Sequence, residues 1–158
     1  MSVPAAVRLV SLAFLLCAGA CAEPDPEHLP DAVLRRELGL TENDRVHSIR
    51  IAGGNAEVAE PDLDSVPIGA FVEFVTTDWL VHEVIFQGDS MAADARGFLE
   101  RTEQVASPPM LQRDSRFVVS FDGAPPGRYP FVMEGNGRPG HGVLIVFDPD
   151  ATGSPRSR

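Results

Sequence analysis

From Val46 onward the chain breaks into short runs in which apolar and polar residues alternate: VHSIRIA, AEVAE, FVEFVTT, HEVIF, RFVVSF, GRYPFVM and GVLIVF, with Pro, Gly and Asp between them. A period of two sends successive side chains to opposite faces, so each run reads as a strand with one buried face. Many short strands with this punctuation predict an all-β antiparallel sandwich. Two stretches have a helical period instead. DAVLRRELG places Val33, Leu34 and Leu38 on one face and ends at Gly39, a residue suited to the left-handed position that closes a helix. SMAADARGFLERTEQ sets Met91, Ala95, Phe98 and Leu99 at helical spacing behind a Ser90 cap, which predicts one helix inserted between strands over 90–104. Gly97 inside it costs about 1 kcal/mol against Ala.

The 158 residues have room for one core, since domains most often run to roughly 100–150 residues. At 44% hydrophobic and 23% charged, the composition is that of a globular domain large enough to fold without disulfides. The net charge of −10 disfavours nucleic acid, whose binding needs clustered Lys and Arg. All thirteen basic residues are Arg, and no run of them forms a patch.

Residues 1–20 read as a signal peptide: Arg8, then the apolar run LVSLAFLL, then the small residues Ala18 to Ala20. The apolar run is well short of the roughly 20 residues that cross a bilayer. Cys21 follows AGA as the lipidated cysteine follows in a bacterial lipobox, so lipidation at Cys21 is expected, with ordinary secretory cleavage as the other reading. The protein is accordingly expected to be exported, as a periplasmic or outer-membrane-anchored lipoprotein or else as a secreted protein, meeting a membrane only through that anchor. Residues 21–30 are acidic and Pro-rich and read as a tether, 31–149 as the folded domain, and 150–158 as a disordered tail. His28 in the tether reads as solvated, and His47 as a packed, hydrogen-bonded core residue. With Cys17 inside the signal, no cysteine is left within the domain for a disulfide or a thiolate ligand.

Two stretches, VPIGAFVEFVTTDWLVHEVIF (66–86) and GRYPFVMEGNGRPGHGVLIV (127–146), together resemble the cupredoxins, the blue copper proteins such as plastocyanin and azurin. In the first, a turn leads to a strand, a short polar loop and a histidine that opens the next strand. The resemblance puts His82 at the first copper-ligand position. In the second, a Tyr-containing strand runs into a loop and a closing strand, where the family has Cys, then His three residues on, then Met about five beyond. Here those positions hold Met133, Asn136 and His141. The resemblance spans roughly Val46 to Phe147 and implies a cupredoxin-like Greek-key β-sandwich with a short N-terminal helix and one inserted helix.

A blue site needs a thiolate, and this chain has none to offer. What the resemblance implies is a neutral set of His82, Met133, His141 and Asn136, with Asn136 as a weak fourth ligand or a hydrogen-bonding neighbour. A thioether favours Cu(I), so the expectation is copper handling at a non-blue site, with a redox or copper-handling protein of the cell envelope as partner. The alternative is a binding or structural module that kept the sandwich and lost the metal; a periplasmic electron carrier stands behind both. Met133 also continues the alternation of Tyr129 and Phe131 as a core residue would, and Asn136 between glycines fits a turn. Trp79 and Leu80, just before His82, are expected to form a partner-docking rim. No nucleophile elbow, phosphate loop or zinc-protease helix is present, and the chain reads as a non-enzyme.

Overall fold

The computed structural model describes residues 28–152. The expected signal peptide, Cys21, most of the expected tether and the expected tail beyond residue 152 lie outside that range. Within it stand α1 (Ala32–Leu38), β1 (Val46–Ala52), β2 (Val58–Glu60), β3 (Leu63–Pro67), β4 (Phe71–Thr76), β5 (His82–Phe86), α2 (Ala93–Arg101), β6 (Arg116–Ser120), β7 (Gly127–Gly135) and β8 (Gly140–Phe147). Short 3-10 turns cover Gly88–Ser90 and Pro149–Thr152, so the first residues of the expected tail are part of a turn.

The strands form two four-stranded sheets, in the orders β2-β1-β4-β6 and β3-β8-β7-β5. β1 runs parallel to β4 and β3 parallel to β8; the other neighbours are antiparallel, so the sheets are mixed rather than purely antiparallel. Alternation decides what faces inward. Ile49 and Ile51 of β1, Val72 and Phe74 of β4, Val84 and Phe86 of β5, and Tyr129, Phe131 and Met133 of β7 are buried in one core. Phe74 meets Phe86 and Phe131 edge-on across the two sheets, with ring centroids 6.3 and 5.1 Å apart. Each such ring removed from water contributes about 1.5–3 kcal/mol. Tyr129 donates its hydroxyl to the Pro125 carbonyl at 2.7 Å, and burial, with Asp94 adding to it, pushes its pKa up to about 12.

Three elements differ from expectation. β3 is an additional strand: LDSVP lacks a clean alternation, yet it leaves the first sheet after β2 and joins the second beside β8. α2 is shorter than 90–104, because Ser90 belongs to the preceding 3-10 turn and Ala92 takes the N-cap position without a side-chain bond. Its Ala95, Phe98 and Leu99 pack into the core as the spacing predicts. α1 is capped by the Asp31 carboxylate, which accepts from Val33 and Leu34, and by Gly39 at φ 68°. Only Leu34 of its apolar residues is buried; Leu38 is 50% exposed, and Leu40 beyond the turn packs beside Leu34 and Val46 instead. Arg116 ties the helix to the sheet, with contacts of 2.8 Å to Asp31 and 3.0 Å to Glu73.

His47 is buried and its Nδ1 lies 2.8 Å from Asp64, linking β1 to β3 across the sandwich. Burial holds its pKa below the usual histidine range, against the pull of Asp64 and with some help from His28. His28 is not simply solvated: its ring stacks on His47 with centroids 4.2 Å apart.

Candidate functional site

The parity of β5 turns His82 inward, above Val84 and Phe86, and the ring is completely buried. Its Nε2 lies 2.8 Å from Oδ1 of Asp78, in the loop between β4 and β5. Asp78 also accepts the backbone N–H of Gly53 at 2.7 Å and that of Leu80 at 2.8 Å. Partial burial raises the Asp78 pKa, but the Gly53 N–H, the His82 ring and the Leu80 N–H together outweigh it and hold the carboxyl at about 2. Asp78 is therefore ionised at neutral pH, and Nε2 of His82 is the donor.

The other ring nitrogen meets a residue that the sequence did not single out. Nδ1 of His82 lies 2.6 Å from Oε2 of Glu57, whose side chain is fully buried. Two lone pairs do not face one another at that distance, so one proton lies between the ring and the carboxyl. Wherever that proton rests, Glu57, His82 and Asp78 together carry a single negative charge. Oε1 of Glu57 has no hydrogen-bond partner among the described residues. It sits where two glycines leave room: a Cβ at Gly135 would overlap the carboxylate, and one at Gly53 would come within 3.1 Å of it.

Backbone contacts hold Glu57 in this position. Its N–H donates to the Arg138 carbonyl at 2.9 Å, and the Arg138 N–H donates to Asn55 at 3.1 Å. Segment 55–57 thus runs alongside the loop between β7 and β8, bridged in parallel at Ala56 and Arg138. The approach is close enough that a Cβ at Gly137 would lie 2.6 Å from the Gly54 carbonyl. The glycine-rich loop serves this backbone packing.

The expected ligand set is not brought together. Met133 is fully buried in the core, its terminal methyl 2.7 Å from where a Cβ of Gly140 would lie. His141 is exposed on the outer face of the second sheet, opposite Val132, where it borders a shallow groove with Leu63, Arg128 and Pro130. The reason is parity: Met133 pairs with Gly140, so the next residue of β8 must point the other way. Asn136 is exposed in the loop. Only His82 and Met133 share the inward face, as diagonal neighbours on β5 and β7. With both ring nitrogens of His82 engaged, the second imidazole on the opposite face and the amide in solvent, these four residues do not fit a copper ion. Among the described residues no group of three or more His, Cys, Asp or Glu could hold a metal.

Trp79 stands 73% exposed in the β4–β5 loop, and Leu80 folds down so that its Cδ1 would touch a Cβ at Gly53 at 3.0 Å. The bridge between His82 and Met110 sets Val81 beside Leu111, and both are exposed. Trp79, Val81 and Leu111 make an apolar rim over the buried His82.

No family model and no curated protein matches the chain. Solved structures do. A purple cupredoxin from Nitrosopumilus maritimus is 20% identical, with 64% of this chain and 99% of that one covered at a TM-score of 0.43. Oxidised plastocyanin from Dryopteris crassirhizoma is 21% identical over 63% and 99%, at 0.47. A reduced amicyanin variant is 18% identical over 77% and 95%, at 0.45. Likenesses at this level assign no ligand and no activity to this chain. The two-sheet architecture, with its parallel β1–β4 and β3–β8 pairs and a helix inserted between β5 and β6, is that of a cupredoxin-like Greek-key sandwich.

Proposed function

We propose that this protein is a metal-free, non-enzymatic binding module on a cupredoxin-like sandwich, exported and held at the cell envelope by a lipid on Cys21. The observation that supports this best is the opposite facing of Met133 and His141 on paired strands, which denies copper a converging set. The surface for a partner is the rim of Trp79, Val81 and Leu111, with Leu80 folded in beneath it, since exposed aromatic and aliphatic anchors next to a rigid core dominate protein contacts. A protein of the envelope is the class of partner that location implies.

Titrating the purified mature domain with Cu(I) against a competing chelator tests the reading. The expected result is no binding above the chelator, with His82→Ala and His141→Ala behaving as the parent does. Stoichiometric Cu(I) binding that both substitutions abolish would restore the copper-handling reading through His82, Met133, Asn136 and His141. An intense visible band on adding Cu(II) would favour an electron carrier.

A further inference from the structure

We infer that Glu57 is an internal stand-in for a metal ion on His82. A histidine that ligates a metal usually donates its second ring N–H to a carboxylate, which fixes the tautomer and aims the free lone pair. Asp78 does this for His82: it is held by two backbone N–H groups and accepts the Nε2 N–H at 2.8 Å. The orienting half of a metal-ligand arrangement is thus complete. The free nitrogen, Nδ1, is aimed at Oε2 of Glu57 at 2.6 Å. A metal bonded to an imidazole nitrogen sits about 2.0 Å away along the lone pair, which is space that this oxygen and the shared proton already fill. Oxygen and ion cannot both be there unless the carboxylate moves.

The carboxylate is not free to move. Segment 55–57 is bonded to the β7–β8 loop on both sides of Ala56, and the side chain enters the core through gaps at Gly53 and Gly135. Leaving Oε1 without a partner is costly in a buried site, so the arrangement persists because the rest of the chain fixes it. The inference rests on the metal-free reading and goes one step past it: the metal is absent because a side chain of this protein has replaced it. Removing that side chain then opens a latent soft-cation site between His82 and its diagonal neighbour Met133, whose thioether selects Cu(I).

The experiment compares the mature domain, Glu57→Ala and the Glu57→Ala/His82→Ala double variant in the same Cu(I) competition titration, with circular dichroism as the check on folding. The parent is expected not to compete, Glu57→Ala to bind Cu(I) at least tenfold more tightly than the parent, and the double variant to lose that gain. A folded Glu57→Ala that binds no better than the parent overturns the inference while leaving the metal-free reading intact. A parent that binds, with Glu57→Ala binding more weakly, overturns both, because Glu57 would then be a ligand itself. Should Glu57→Ala fail to fold, Glu57→Gln keeps the volume. Proton NMR of the parent is expected to show two strongly deshielded, slowly exchanging protons at His82, and that of Glu57→Gln only one. An unchanged pair in Glu57→Gln overturns the inference.

Discussion

A carboxylate that accepts two backbone N–H groups and a ring N–H resists protonation, and Asp78 is such a group, held at about 2. Its depressed folded value means that the stability it contributes is fully present above the ordinary carboxylate pKa of about 3.9 and is lost as pH falls toward about 2. The expected size is on the order of 2 kcal/mol. Urea unfolding of the parent and of Asp78→Asn between pH 5 and pH 2 checks this: the gap between their midpoints narrows as the pH falls. A gap that stays constant contradicts the assignment. Asp78 could be located from sequence as the residue four before His82, whereas Glu57 could not. In AEVAE it looks like the solvent-facing half of an alternating strand, and nothing local marks it as an acid that turns inward.

Between elements, the decisive contact is the one that joins segment 55–57 to the β7–β8 loop. Gly135 is tied to it, since a Cβ there would overlap the Glu57 carboxylate and lie 2.6 Å from the Val81 carbonyl. Gly135→Ala is expected to destabilise by about 1–3 kcal/mol, the usual cost of overpacking. Gly127→Ala is the contrast: a Cβ there meets nothing within 4 Å, so little change or a slight gain is expected. Thermal melts of the two variants side by side decide the point, and equal effects would contradict it. Most elements were legible because their alternation or helical spacing is local. β3 was not, because an edge strand with Leu63 exposed and Asp, Ser and Pro in its five residues carries little periodic signal. The Ser90 cap failed for a related reason: a 3-10 turn claims the residues that the helix would need.

For the molecule as a whole, the sandwich was readable from strand pattern and order, while the site depended on parity across a turn, which spacing alone does not fix. An offset of eight from Met133 puts His141 on the outer face, and an offset of seven, at Gly140, would have stayed within. The rim offers a direct probe of the molecule, because Trp79 is the only tryptophan in the chain and is 73% exposed. Its emission in the native state is expected to resemble that of free tryptophan, to be quenched readily by iodide and to change little on unfolding. Docking of a partner on the rim should shift the emission to the blue and protect it from iodide. A native spectrum already blue and unquenched would contradict the exposed rim.

Gly140 also bears on what this edge of the sandwich could hold. A Cβ there would run into the main chain of Glu57 as well as the methyl of Met133. An exchange at Gly140, the inward β8 position opposite Met133, therefore cannot supply a second imidazole without moving the backbone. For an inward ligand to stand at Gly140, segment 55–57 and the β7–β8 loop would have to part first, so the backbone itself limits what this edge of the sandwich can hold.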